Sequence, residues 1–159
     1  MKILALDWGE RRLGFAVSDE SESIAVPAGV AVCGGEKERR RAVAEKIEET
    51  GAGLLVVGLP LTMAGEEGES AGRVREFVER RGAGLGVPVV FWDERGTTDL
   101  AERFSREPDS GRRRGGGRAA KKPLDDVAAC LLLQSYLDRR GYERRRAQED
   151  DPHENGGER

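Results

Sequence analysis

The chain has 159 residues, a length that suits one domain with a true core. Its net charge of −3 announces no polyanionic partner, and its two cysteines and single histidine argue against a Cys/His zinc site or a histidine-activated nucleophile. No apolar stretch is long enough to cross a membrane, and the N-terminal apolar run meets Asp7 too early for a signal peptide, so the expected compartment is the cytoplasm.

The elements follow from hydrophobic period. Ile3 to Asp7 reads as a buried strand, Leu13 to Ser18 as a second and Ile24 to Val32 as a third. The short polar links between them predict an antiparallel meander. Glu36 to Thr50 is helical in pattern, with Val43, Ala44 and Ile47 on one face and Gly51 and Gly53 ending it. Leu54 to Val57 reads as an interior strand. Ser70 to Arg81 is a second helix with Val74, Phe77 and Val78 inward, and Val87 to Trp92 is the last strand.

Thr97 to about Glu107 reads as a third helix with Leu100, Ala101 and Phe104 inward. Leu124 to Arg140 reads as a long helix burying Val127, Ala128, Leu131 and Leu132. Residues 141–159 read as a disordered polar tail behind a domain over 1–140. Between the last two helices, Ser105 to Lys122 holds seven bases against two acids and reads as a mobile basic loop over about 105–120. A meander followed by alternating α and β units predicts an α/β fold. Its mixed five-stranded sheet would carry helices on both faces, with a ligand site at the carboxyl ends of the parallel strands.

Three acidic positions fall at such ends. Asp7 closes the first strand and is followed by Gly9 and Gly14, which let backbone approach a phosphate or a metal. The same Asp-x-Gly pattern suits an Asx turn. Asp93 and Glu94 close the last strand. Strand alternation sends them to opposite faces, so one can readily join Asp7, and Glu94 is favoured. Asp93 can otherwise pair with Arg95. Asp125 and Asp126 open the long helix, where an acid also suits the N-cap.

Carboxylates gathered from separate segments repel one another unless protons or cations neutralise them. Mg²⁺ or Mn²⁺ is the natural occupant of such a site, with Asp7, Asp93, Glu94 and Asp125 as candidate ligands. A pair of such ions can activate water and stabilise the leaving oxygen of a phosphodiester. Arg11, Arg12, Arg95, Lys121 and Lys122 flank the acids and are candidates for phosphate contact. Trp8 and Trp92 read as packing residues, and Ser18, Asp19 and Glu10 as turn residues.

Four segments carry a resemblance. They are Leu6-Asp7-Trp8-Gly9-Glu10-Arg11-Arg12-Leu13-Gly14-Phe15-Ala16-Val17-Ser18-Asp19, Val56-Val57-Gly58-Leu59-Pro60-Leu61, Trp92-Asp93-Glu94-Arg95 with Thr97-Thr98, and Asp125 with Ala128-Ala129 and Leu131 to Leu137. In this order, over about residues 1–140, the chain resembles the RuvX (YqgF) proteins, pre-16S rRNA nucleases related to Holliday-junction resolvases of the ribonuclease H-like fold.

The resemblance implies that fold and metal-dependent nuclease chemistry, with catalytic acids Asp7, Glu94 and Asp125 and with Thr98 added to the substrate contacts. It implies structured RNA at the 5′ end of the small-subunit rRNA as substrate, or DNA junctions, with the ribosome as a further partner. It leaves monomer or homodimer open. The chain departs from the family pattern at Thr62-Met63-Ala64-Gly65, where Asn-Met-Asp-Gly is usual, at Gly96, where leucine is usual, and in the Gly/Arg-rich stretch over 111–118.

Two other functions compete. An actin-like or sugar-kinase ATPase also opens with a strand and an Asp-x-Gly turn, but it needs a second phosphate loop and a longer chain. A non-catalytic RNA- or ribosome-binding module would rest on the basic segment alone.

Overall fold

Burial of alternate residues fixes both faces of the sheet. The computed structural model describes residues 1–81, 84–93, 95 and 124–149. In chain order these form β1 (Ile3–Trp8), β2 (Arg12–Ser18), β3 (Ala25–Val32), α1 (Glu36–Thr50), β4 (Leu54–Leu59), α2 (Glu69–Arg81), β5 (Val89–Asp93) and α3 (Leu124–Glu149). The strands lie in the order β3-β2-β1-β4-β5. β1 pairs antiparallel with β2, and β2 with β3, whereas β4 is parallel to both β1 and β5. This is the mixed five-stranded sheet expected, with its parallel half around β4.

Leu4 and Leu6 of β1 turn to one face with Leu13, Phe15, Leu55 and Val57, where Val43 and Ile47 of α1 and Val74 and Phe77 of α2 cover them. Ile3 and Ala5 turn to the other face with Ala16, Leu54 and Val56, under α3. All six residues of β4 are buried, as an interior strand requires. Each fully buried Leu or Ile contributes roughly 1.5–3 kcal/mol, so the two layers together fix the strand register. Gly51 ends α1 in the left-handed region (φ 66°), and its N–H donates to the Ile47 carbonyl at 2.9 Å.

The last helix departs from expectation in phase and in length. Its sheet-facing stripe is Ala129, Leu132, Leu133, Tyr136 and Leu137, whereas Val127 is 45% exposed and Ala128 also faces solvent. Leu131, Leu132 and Leu133 are all apolar, so the pattern alone admits more than one phase. Tertiary contacts choose. Trp92 packs edge-on against Tyr136 at 5.2 Å, and Gln134 Oε1 accepts the Ala25 N–H at 3.0 Å.

The helix also continues to Glu149 instead of ending near 140, which corrects the first nine residues of the expected tail. Gly141 inside a helix costs about 1 kcal/mol against alanine. Salt bridges from Arg139 to Glu143 (2.7 Å) and from Arg144 to Glu22 (2.6 Å) carry the chain across it. The expected helix over 97–107 and the basic segment over 105–120 lie outside the described residues, as does the tail from 150 onward. No helix among the described residues is long and apolar enough to cross a membrane.

Candidate active site

Asp7 is the next-to-last residue of β1, half-buried, on the α3 face above Ile3 and Ala5. The rung it occupies is informative. Asp7 is paired with Gly14 on β2. On the other side, the Leu6–Val57 pairing brings Gly58 level with it, and Gly58 is paired with Trp92 on β5. Both flanking positions therefore carry no side chain. Trp92 closes the row, its Nε1–H donating to Ser135 Oγ of α3 at 2.8 Å. An acid at a strand end between two glycines leaves the sheet surface beside it to be filled from elsewhere.

The first turn of α3 is directed to this same end. Its other half is fastened at the opposite end of the sheet, where Glu22 in the β2–β3 link meets Arg140 Nε at 3.0 Å and Arg144 at 2.6 Å. Position 125 stands one helical turn before Ala129, the first buried residue of the stripe. The first turn of α3 therefore lies toward the end of the sheet that carries Asp7.

Asp93 is placed differently. Val89 and Phe91 of β5 pack on the α1/α2 face, and Asp93 continues that alternation, opposite to Asp7. Its carboxylate accepts the Arg95 N–H at 2.9 Å and the Arg95 guanidinium at 2.7 Å. The hydrogen bond from the Arg95 side chain, against a smaller push from burial, holds the Asp93 carboxyl below its ordinary value. Arg95 also lies over Gly65 (φ +81°), where a Cβ would come within 2.9 Å of Nη1. The structure does not bring Asp93 to Asp7.

Glu94, Thr98, Lys121 and Lys122 lie outside the described residues, as does the Asp125 carboxylate. Among the described side chains, no group of three acids, histidines or cysteines forms that could hold a metal. Arg11 and Arg12 are exposed at the β1–β2 tip, beside Asp7 in the chain. Trp8 points to the other face and meets Phe77 with ring centroids 4.7 Å apart, a packing role as expected. Ser18 and Asp19 close the far turn. Ser18 Oγ accepts the Ile3 N–H at 2.9 Å, and Asp19 accepts the N–H groups of Ser23 and Ile24 at 2.7 and 2.9 Å.

The turn after Asp7 is tightly built. The Gly9 N–H donates to the Arg12 carbonyl at 2.8 Å, and a Cβ on Gly9 would sit 2.6 Å from that oxygen, so only glycine fits. Arg39 of α1, only 8% exposed, donates to the Gly9 carbonyl at 2.8 Å and to the Glu10 carbonyl, and its guanidinium lies 4.5 Å from the Trp8 ring centroid. Sequence reading passed over Arg39 because Arg39-Arg40-Arg41 looks like a solvated run. Its spacing of four from Val43 and eight from Ile47 put it on the inner stripe, and that was the available signal.

The chain was compared with known proteins. Residues 1–139 match the family model described as RuvX, Holliday junction resolvase. The chain belongs to the RuvX family. Two relatives of this RuvX chain, each named "Putative pre-16S rRNA nuclease", come from Desulforudis audaxviator and Chloroflexus aggregans. The first is 36% identical over 140 residues, covering 88% of this chain and 96% of the relative. The second is 40% identical over 138 residues, covering 87% and 94%. Among solved structures, RuvC of Thermus thermophilus in complex with Holliday junction substrate superposes with a TM-score of 0.60 at 16% identity, covering 89% of this chain and 96% of that one. At that identity the likeness concerns the fold, which is the ribonuclease H-like fold of the resolvases.

Proposed function

We propose that this RuvX-family nuclease is a metal-dependent endonuclease that cleaves phosphodiesters of structured RNA in the cytoplasm, in the maturation of the 5′ end of pre-16S rRNA. The observation that carries the reading is the position of Asp7. It stands next to the end of β1 on the α3 face, between two glycines, at the end of the sheet toward which the first turn of α3 is directed.

A hard divalent cation fits this donor chemistry. The side chains offered are carboxylates, and the flanking rung positions are glycine, which suits a small oxygen-seeking ion that keeps part of its water. Asp7, Glu94 and Asp125 would hold Mg²⁺ or Mn²⁺. The engagement of Asp93 with Arg95 on the opposite face supports Glu94 as the ligand from β5's end. When bound, the ion supplies charge neutralisation at the phosphorus and acidifies the attacking water.

The chain's own residues supply the rest. Arg11 and Arg12 at the exposed tip meet the phosphates on either side of the scissile bond and orient the strand. Lys121, Lys122 and Thr98 extend that grip, and the ribosomal precursor is the partner this grip serves; Arg95, also expected among the contacts, is engaged with Asp93 on the opposite face.

The names borne by the two relatives support RNA as the substrate. A four-way DNA junction is the second reading, supported by the description of the family model. Purified full-length protein, incubated with Mn²⁺ or Mg²⁺, should cut a 5′-extended pre-16S fragment faster than a four-way DNA junction of equal length. Faster cutting of the junction would reverse the assignment. Binding of the RNA in EDTA, with no cleavage on adding metal, would leave a binding module instead.

A further inference from the structure

Arg39 is an expensive residue to place where it is. A guanidinium taken largely out of water must find full hydrogen bonding, and a residue needed only for solubility would stay outside. Here one terminal nitrogen donates to the Gly9 carbonyl at 2.8 Å and the other to the Glu10 carbonyl. The Cζ of the group lies over the Trp8 ring, 4.5 Å from its centroid. Trp8 is the immediate neighbour of Asp7 and points to the opposite face of the sheet, where it is also held by Phe77. The far side of the same turn is tied down by the Cys33 N–H, which donates to the Arg11 carbonyl at 2.9 Å.

We propose that Arg39 is a positioning residue for the metal-holding end of β1, clamping Trp8 and the Gly9 and Glu10 carbonyls so that Asp7 stands at a fixed height on the other face. This rests on the reading of Asp7 as a metal ligand. A metal-ligating carboxylate must be held to within roughly 0.5 Å, and the end of a strand is where backbone otherwise frays. Arginine suits the task because a rigid planar fork serves two carbonyls while stacking on an indole, whereas a lysine ammonium offers one mobile point of charge. The cleft below the turn, lined by Trp8, Arg39, Arg73, Phe77 and Arg80, fits this structural role. Its other arginines are engaged within α2, Arg73 with Glu69 at 2.5 Å and Arg80 with Glu76 at 2.6 Å.

The test measures Mn²⁺ binding by calorimetry, without nucleic acid, on full-length wild type, Arg39→Lys, Arg39→Met, Trp8→Phe and Asp7→Asn. Each is assayed below its melting temperature as followed by circular dichroism. Loss of the clamp should weaken Mn²⁺ binding by about tenfold in both Arg39 variants, the scale of outer contacts around metal ligands. Trp8→Phe, which keeps an aromatic ring against Phe77, should weaken it by less than either Arg39 variant does. In cleavage assays the Arg39 variants should need more Mn²⁺ for half-maximal rate while the KM for RNA stays unchanged.

Wild-type Mn²⁺ affinity in the folded Arg39 variants, with only the melting temperature lowered, overturns the inference. If either Arg39 variant fails to fold, wild-type affinity in Trp8→Phe and in the other overturns it equally. Loss of Mn²⁺ binding in Asp7→Asn alone removes the Arg39 role and keeps the Asp7 site. Wild-type binding in Asp7→Asn removes the site itself, and the clamp with it.

Discussion

Glu22 and Asp7 are both carboxylates at ends of the sheet, and the chain surrounds them differently. Glu22, whose side chain is 8% exposed, is ringed by cations, with Arg140 at 3.0 Å, Arg144 at 2.6 Å and the N-terminal ammonium at 3.7 Å. It adopts the left-handed region (φ 59°), which few residues other than glycine enter, and that cluster holds it there. Asp7 is flanked on its rung by Gly14 and Gly58 and followed by a turn that is clamped from the opposite face. One end uses built-in counter-charge to anchor α3. The other leaves the rung positions on either side of its acid without side chains. Glu22 ties α3 to the sheet by charge, whereas the turn after Asp7 is held from the opposite face by the Arg39 guanidinium on the Gly9 carbonyl.

The comparison is broken most directly by exchanging the acids for their amides. Asp7→Asn should lower metal-dependent cleavage by about a thousandfold, or roughly 4 kcal/mol in transition-state free energy, in a steady-state assay. Its melting temperature should stay at or above wild type, since functional acids seldom stabilise the fold around them. Retained cleavage would remove Asp7 from the chemistry.

Leu133→Ala, in the sheet-facing stripe of α3, should lose about 3 kcal/mol in urea unfolding, whereas Val127→Ala should change stability by less than about 0.5 kcal/mol. The reverse order would restore the helix phase read from the sequence. Glu22→Gln should cost about 2 kcal/mol, the scale of hydrogen bonds to a buried charge, with cleavage retained at temperatures where the variant is folded.

The pH dependence sharpens the Glu22 end further. Burial raises the carboxyl's pKa, but the hydrogen bond from Arg144 and the charges of Arg140, Arg144 and the N-terminus outweigh burial and hold the pKa below its ordinary 4.5. A depressed folded value means that the stabilisation is complete above about 4.5 and is lost as pH falls through the folded value. Unfolding curves of wild type and Glu22→Gln should therefore differ most above about pH 5 and converge in acid. A constant difference down to pH 2 would show packing, not charge, at this end. The smallest effect belongs to Asp93→Asn, which loses an exposed pair with Arg95 and should alter stability by less than about 1 kcal/mol, leaving Mn²⁺ binding intact.

Much of this was legible in the residues. The continuous apolar runs of β1 and β4 marked the buried centre of the sheet, and Gly51 marked the end of α1. Alternation along β5 allowed only one of Asp93 and Glu94 to join Asp7, and the structure places Asp93 on the opposite face. Other features were hidden because long-range contacts decide them. Three successive leucines left the phase of α3 open until Trp92 and Gln134 fixed it. Gly141 and the dense charge after it looked like the start of a tail, since the Arg140 and Arg144 contacts to Glu22 span more than a hundred residues of chain. Arg39 sits within three arginines; its spacing from Val43 and Ile47 marks it as inward, but its partners, Trp8 and the Gly9 carbonyl, meet it only in the folded sheet.

A divalent ion at the end of β1 is the central feature of the proposed chemistry. Crystals of the full-length wild type soaked in Mn²⁺ and measured at the manganese absorption edge test it directly. The anomalous map should show a peak on the α3 face about 2.1 Å from an Asp7 carboxylate oxygen, the ordinary distance for a small hard cation. A peak seated on Asp93 at the opposite face, or bound manganese elsewhere with Asp7 untouched, would contradict it.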